Sequence, residues 1–175
     1  GSLGLSLATM VANLSSHKKG WDSRWEEFSN WAAKGQQLKD ELIRLVDADT
    51  LAFNKIMDAF ALPKATNEEK TFRNKSIQEA TKFAIEIPFK VMEVSFAGME
   101  LIKAMAENGN PNSVSDAGLC SLCARSAVMG AFMNVRINAA GYDDKNYVAE
   151  IVKKGTDIQN KAIAMDLASS LGILK

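Results

Sequence analysis

Asp49 is the residue whose position most needs a chemical explanation. At about 100° of rotation per residue, it falls within roughly 40° of Leu42, Leu45, Phe53, Ile56 and Phe60, in the middle of an apolar stripe, while Asp47 points about 200° away toward solvent. A carboxylate set among apolar side chains is costly unless it is partnered, and burial favours the protonated form that a general acid needs. Two readings stay open at this point. Asp49 is an acid/base catalyst, or it is a buried aspartate that bonds a helix end or an arginine.

A second set of polar residues interrupts a later stretch. Asp116, Cys120, Cys123, Ala127, Ala131 and Asn134 share one helical face, with Asn138 just to its side and Arg125 and Arg136 turned away. The small residues make this face a groove. Asn134 and Asn138 there either bond the heteroatoms of a flat ligand or bridge to a neighbouring helix. Asp116, in a first turn after Ser113 and Ser115, equally serves to complement the helix dipole. His17, Lys18 and Lys19 sit together in a loop, where they gather an anion or are simply solvated. Cys120 and Cys123 are three apart but have no second Cys/His pair and no strand-helix-strand context, so they read as core rather than as a zinc or redox motif. Trp21, Trp25 and Trp31 read as packing anchors.

Composition narrows the chemistry further. The chain has 175 residues, with 21 acidic against 21 basic and one histidine. Zero net charge provides no cationic footprint for nucleic acid. One histidine cannot build a multi-histidine metal site, the paired E-x-x-H motifs of a di-iron bundle, or the base of a serine triad with its G-x-S-x-G elbow. The sequence shows no long uninterrupted apolar run and no secretory leader pattern, so the expectation is a cytoplasmic protein with no membrane span. Carboxylate-driven chemistry remains, or a non-catalytic helical module whose apolar seams mediate self-association.

The elements that position these residues are helices. Strand alternation and Asn-Gly or Asp-Gly hairpin turns are nearly absent, which predicts an all-α antiparallel bundle of about five long helices in a single domain spanning residues 1–175. The first covers about Leu3 to Leu14, with apolar spacing from the outset and no preceding cap, as if the chain opens inside a helix. A second starts near Asp22 as N-cap and ends before Leu62-Pro63-Lys64, because a residue preceding proline is pushed out of the α region. Thr66 with Glu69 forms a capping box for a third helix. Its seam runs through Ala80, Ala84, Ile87, Val91, Val94, Gly98, Leu101 and Met105, and Asn108-Gly109-Asn110-Pro111 stops it. Pro88 inside it frees the Ala84 carbonyl and predicts a kink near residues 85–89. A fourth helix runs from about Ser113–Asp116 to Asn138, and a fifth from the Gly141–Asp144 turn toward Leu171.

Several strings then bear on identity. Met10-Val11-Ala12-Asn13-Leu14, Lys18-Lys19-Gly20, Leu45-Val46-Asp47-Ala48-Asp49, Leu62-Pro63-Lys64 followed by Glu68-Glu69-Lys70, and Gly130 to Asn138 preceded by Ser115-Asp116 occur in order along the chain. Together they resemble the cyclodeaminase/cyclohydrolase family, over essentially the whole chain. The family's opening helix and P-x-P-G-G-G-S turn are missing, in keeping with a start inside a helix. The resemblance implies folate one-carbon chemistry. One such activity is formimidoyltetrahydrofolate cyclodeaminase, which yields 5,10-methenyltetrahydrofolate and ammonia, and the alternative is methenyltetrahydrofolate cyclohydrolase. It also implies a tetrahydrofolate derivative as substrate with no further cofactor or metal, a homodimer, and a separate formiminotransferase as a companion. By spacing through the L-P-K string, the resemblance assigns the family's catalytic aspartate to Asp49. Given such a substrate, the groove residues Asp116 and Asn134, with Asn138 beside them, are expected along the pteridine, and Lys18, Lys19 or Lys64 are expected by their charge to meet the anionic glutamate tail.

Overall fold

In a computed structural model of the chain, residues 1–165 are described, and among them there are five long helices and no strand. They are α1 (Ser2–Ser16), α2 (Trp25–Ala61), α3 (Asn67–Asn108), α4 (Val114–Ala139) and α5 (Lys145–Ala164). The all-α expectation holds. The part of the fifth helix expected between residues 166 and 171 lies outside the described residues.

The helix ends follow local chemistry. Leu62 is extended (φ −59°, ψ 147°) ahead of Pro63 and ends α2. The capping box of α3 forms as expected: the Glu69 amide donates to Thr66 Oγ1 at 3.1 Å, and the Thr66 amide donates to the Glu69 carboxylate at 3.0 Å. Asp144 caps α5 by accepting from the amides of Asn146 and Tyr147. The start of α2 differs from expectation. Asp22 does not cap it but opens a short 3-10 turn, Asp22–Arg24, and α2 begins at Trp25 with no side-chain cap. A second such turn, Pro111–Ser113, leads into α4, with Asn110 accepting from the Asn112 amide.

The core lies where α1, α3 and α4 meet. Leu5, Val11, Ile85, Met92, Met99, Leu101, Ile102, Val128 and Val135 are fully buried, and the seam residues of α3 from Ala80 to Met105 line it, all buried or half-buried. Close helix approach depends on glycine at two places. A Cβ on Gly98 would collide with Leu5, and one on Gly155 would collide with the Phe132 ring. By length and composition alone, residues 111–139 are apolar enough to cross a membrane, but in the fold α4 supplies buried Cys120, Val128 and Val135 to the core. α3 is helical without a break through Pro88. The carbonyl that the proline leaves without its helical donor, that of Ala84, accepts from Asn138 Nδ2 of α4 at 2.7 Å.

Candidate active site

Two adjoining cavities meet at Asp49. The larger, about 400 Å³, is walled by Leu42, Leu45 and Val46 of α2, Pro88 and Val91 of α3, and Ala127, Gly130 and Ala131 of α4; Asp49, Thr50 and Asn134 add polar groups, and the start of α1 closes one end. The smaller, about 180 Å³, holds Asp49, Asn134 and Asn138 with Ala52, Phe53, Ile56 and Ala84. Of the α4 face expected to form a groove, Ala127, Ala131 and Asn134 line the cavity together with Gly130, which opens against α2, while Cys120 is buried in the core and Asp116 and Cys123 do not line it.

The surroundings of Asp49 require a correction. It is exposed in the chain, not buried. The reason is that the stripe taken from the sequence merges two parallel lines on α2. Residues 42, 45, 49, 52, 56 and 59 face the bundle: Leu42, Ala52 and Ala59 are buried, and Leu45 and Ile56 half-buried. Phe53 and Phe60 belong to the adjacent outer line and are 62% and 52% exposed. Asp49 stands on the inner line where a cavity replaces the neighbouring helix, so solvent reaches it.

Asn138 is the best-fixed polar group of the site. Its Nδ2 is committed to the Ala84 carbonyl, so its Oδ1 is the face left to accept from a donor in the smaller cavity. Asn134 is exposed and lines both cavities. Thr50, which the sequence reading passed over, puts a hydroxyl on the wall; its Oγ1 donates to the Val46 carbonyl at 3.2 Å. The signal for it was available, as the polar neighbour of Asp49 beside an apolar line.

The remaining candidates lie elsewhere. Asp116 is in the first turn of α4, about 27 Å of helix from Asn134, so the two do not share a ligand groove. It acts on Cys120, whose thiol burial pushes up to about 12, with the charge of Asp116 adding to the effect. Lys18 follows α1, roughly 25 Å of helix from the cavity, with Nζ 4.0 Å above the Trp21 ring. Lys19 is exposed in the same loop, and Lys64 is exposed in the loop that begins about 18 Å of helix beyond Asp49. None of the three lines the cavities, so an anionic tail meets them only if it extends well outside the groove. Among the described residues, no group of three or more His, Cys, Asp or Glu side chains is arranged to hold a metal.

Comparison with known proteins gives this geometry a family. A methenyltetrahydrofolate cyclohydrolase of Methylorubrum extorquens is 36% identical over 154 residues, which span 88% of this chain and 74% of that protein. A formimidoyltransferase-cyclodeaminase of Gallus gallus is 32% identical over 92% of this chain, which spans only 30% of the chicken protein. The fold matches a crystal structure of formiminotetrahydrofolate cyclodeaminase from Thermotoga maritima with a TM-score of 0.81, at 24% identity, covering 99% of this chain and 84% of that one. Residues 1–157 match the formiminotransferase-cyclodeaminase family, and the chain belongs to that family of enzymes.

Proposed function

We propose that the chain makes or opens the one-carbon bridge between N5 and N10 of tetrahydrofolate, with Asp49 as the acid/base group. The observation that carries this reading is the position of Asp49: a carboxylate on the bundle-facing line of α2, at the junction of two cavities that also hold Asn134 and Asn138. A cavity of about 400 Å³ is in the range that accepts small ligands. Leu42, Leu45, Pro88 and Val91 offer apolar walls for a flat ring, and the two asparagines and Thr50 offer groups for its heteroatoms.

In the cyclodeaminase direction, N10 attacks the formimidoyl carbon carried on N5 and a tetrahedral aminal forms. Asp49 accepts the N10 proton and returns one to the amine, which leaves as ammonia and yields the methenyl bridge. In the cyclohydrolase direction, water adds to the methenyl carbon, Asp49 takes its proton, and the bond to N5 opens to give the 10-formyl form. Both reactions ask the same of the carboxyl group. The Methylorubrum relative favours the second, because it carries that name and most of its length is spanned by this chain.

Side-by-side assays of the purified protein with formimidoyl- and methenyltetrahydrofolate, following the methenyl chromophore, separate the two. Turnover of either substrate, abolished in Asp49→Asn, is the expected result. Turnover of neither contradicts the reading.

A further inference from the structure

We propose that the smaller cavity is the seat of the small reactant, the water that adds to the folate or the ammonia that leaves it, and that Pro88 prepares this seat by fixing the Asn138 amide. The two cavities that meet at Asp49 differ in kind. The larger, about 400 Å³ with mostly apolar walls, is in the range of pockets that hold a ring-sized ligand, whereas about 180 Å³ is below that range. One water occupies about 30 Å³, so the smaller space takes a molecule of that size with room for it to enter and leave. Three of the seven residues around it have polar side chains, Asp49, Asn134 and Asn138, which suits a guest that hydrogen-bonds on several sides.

Pro88 makes the amide directional. In a regular helix the amide of residue 88 bonds the Ala84 carbonyl, and proline has no such amide. The carbonyl instead accepts from Asn138 Nδ2 at 2.7 Å. A carbonyl cannot donate, so only the nitrogen end of the Asn138 side chain fits against it, and the oxygen end is left for the cavity. Without the freed carbonyl, either end of the amide is able to turn toward a ligand. Pro88 lines the larger cavity and Ala84 the smaller, so this one interruption of the α3 ladder shapes both.

The consequence for the reaction rests on the function proposed above. A water in the smaller cavity donates one hydrogen to Asp49 and the other to Asn138 Oδ1, which leaves a lone pair of its oxygen for the ring in the larger cavity. That oxygen bonds the methenyl carbon as the first proton passes to Asp49. The second proton stays on the oxygen, held by Asn138, until the bond from the carbon to N5 breaks. The electron pair of that bond goes to N5, which takes the proton back from Asp49, and the hydroxyl proton leaves to solvent as the formyl C=O forms. In the deaminase direction, the departing amine occupies the same place and donates to the same Oδ1.

Steady-state kinetics with whichever folate the wild type turns over test the assignment. Asn138→Leu, with folding verified by circular dichroism, is expected to lower kcat about 10- to 100-fold with KM within about twofold, because the lost group holds the small reactant and not the ring. A rise in KM at full kcat places Asn138 on the ring and overturns the seat. Pro88→Ala is expected to lower kcat about threefold or more without loss of Tm, as the new amide competes for the Ala84 carbonyl, whereas Val91→Ala on the same wall raises KM alone. Wild-type kcat in Pro88→Ala, or an equal fall in Val91→Ala, overturns the role of Pro88. The double variant Asn138→Leu with Pro88→Ala recovers the Tm lost in Asn138→Leu but not its kcat; recovery of both makes the contact structural only and overturns the seat. If the wild type turns over neither folate, or Asp49→Asn is fully active, the proposed function fails and the seat with it. If Asp49→Asn is inactive while Asn138→Leu keeps its kcat, the function stands and the seat alone falls.

Discussion

The two halves of α2 belong to one continuous helix but live in different surroundings. In the first, Phe28 is fully buried and stacks on Trp21 at 5.6 Å, with the Arg24 guanidinium 4.6 Å from the Phe28 centroid. Gly35 lets this half approach α1 and α3 so closely that a Cβ there would lie 2.7 Å from Leu101 Cδ2 and closer still to Thr9 Oγ1. In the second half, Asp49 opens onto cavities and Phe53 and Phe60 face outward. The first half anchors the helix, and the second uses that anchorage to hold a carboxylate at the edge of a groove, where a sealed core would have left no room for a ligand. Packing density thus divides the helix into a part that stabilises and a part that can react.

Phenylalanine truncation is the hardest test of that contrast. Phe28→Ala is expected to cost about 3–5 kcal/mol, independent of protein concentration. Phe53→Ala is expected to cost little in dilute solution, with a loss that grows where the chain self-associates. Equal, concentration-independent shifts in Tm would erase the distinction. Glycine replacements sharpen it on a smaller scale. Gly35→Ala overpacks the sealed half at about 1–3 kcal/mol, while Gly130→Ala, on the cavity wall with nothing within 4 Å of the added carbon, is neutral or stabilises by up to about 1 kcal/mol in thermal melts.

The Asn138 contact faces the second half, in the smaller cavity. Asn138→Leu leaves the buried Ala84 carbonyl without a donor, a loss of about 1–3 kcal/mol. Pro88→Ala in the same chain supplies a helical amide to that carbonyl and should recover most of the loss. No recovery would show that the carbonyl is not the cause.

The smallest effect belongs to the anchored end. Arg24 bonds Glu27 at 2.9 Å and the Asn108 carbonyl at 3.3 Å, and its hydrogen bond holds the Glu27 carboxyl below the usual range. A depressed carboxylate stabilises the fold above its unfolded value, near about 4.3, and this contribution fades as pH falls through the folded value. Because the pair is exposed, the Tm difference between wild type and Arg24→Ala should be small at pH 7 and smaller still at pH 3. A difference that grows on acidification would contradict the assignment.

Three helix boundaries were legible because single residues set them, Pro63 behind Leu62, the Thr66/Glu69 box and Asp144 ahead of Lys145, whereas the start of α2, which has no side-chain cap, was not. The groove on α4 was legible only in part: small residues at helical spacing either leave space, as Ala127, Gly130 and Ala131 do, or admit a close neighbour, as the buried Ala117 and Ala124 do, and the pattern alone does not say which. The exposure of Asp49 was not legible, since a helical wheel reports a direction and not the distance to the next helix. Nor does it separate two apolar lines about 100° apart when both carry large residues. Lys18, Lys19 and Lys64 were joined to the groove by charge alone, and only the lengths of α1 and α2 show how far from it they lie.

One substitution pair tests the central claim. Asp49→Asn and Asp47→Asn are isosteric changes two residues apart on the same helix, both at exposed positions, but only Asp49 lines the cavities. With folding verified by circular dichroism, methenyl turnover should fall about 10²–10⁴-fold in Asp49→Asn and remain near wild type in Asp47→Asn. Retained turnover in Asp49→Asn, or equal loss in both, would contradict Asp49 as the acid/base group of this site.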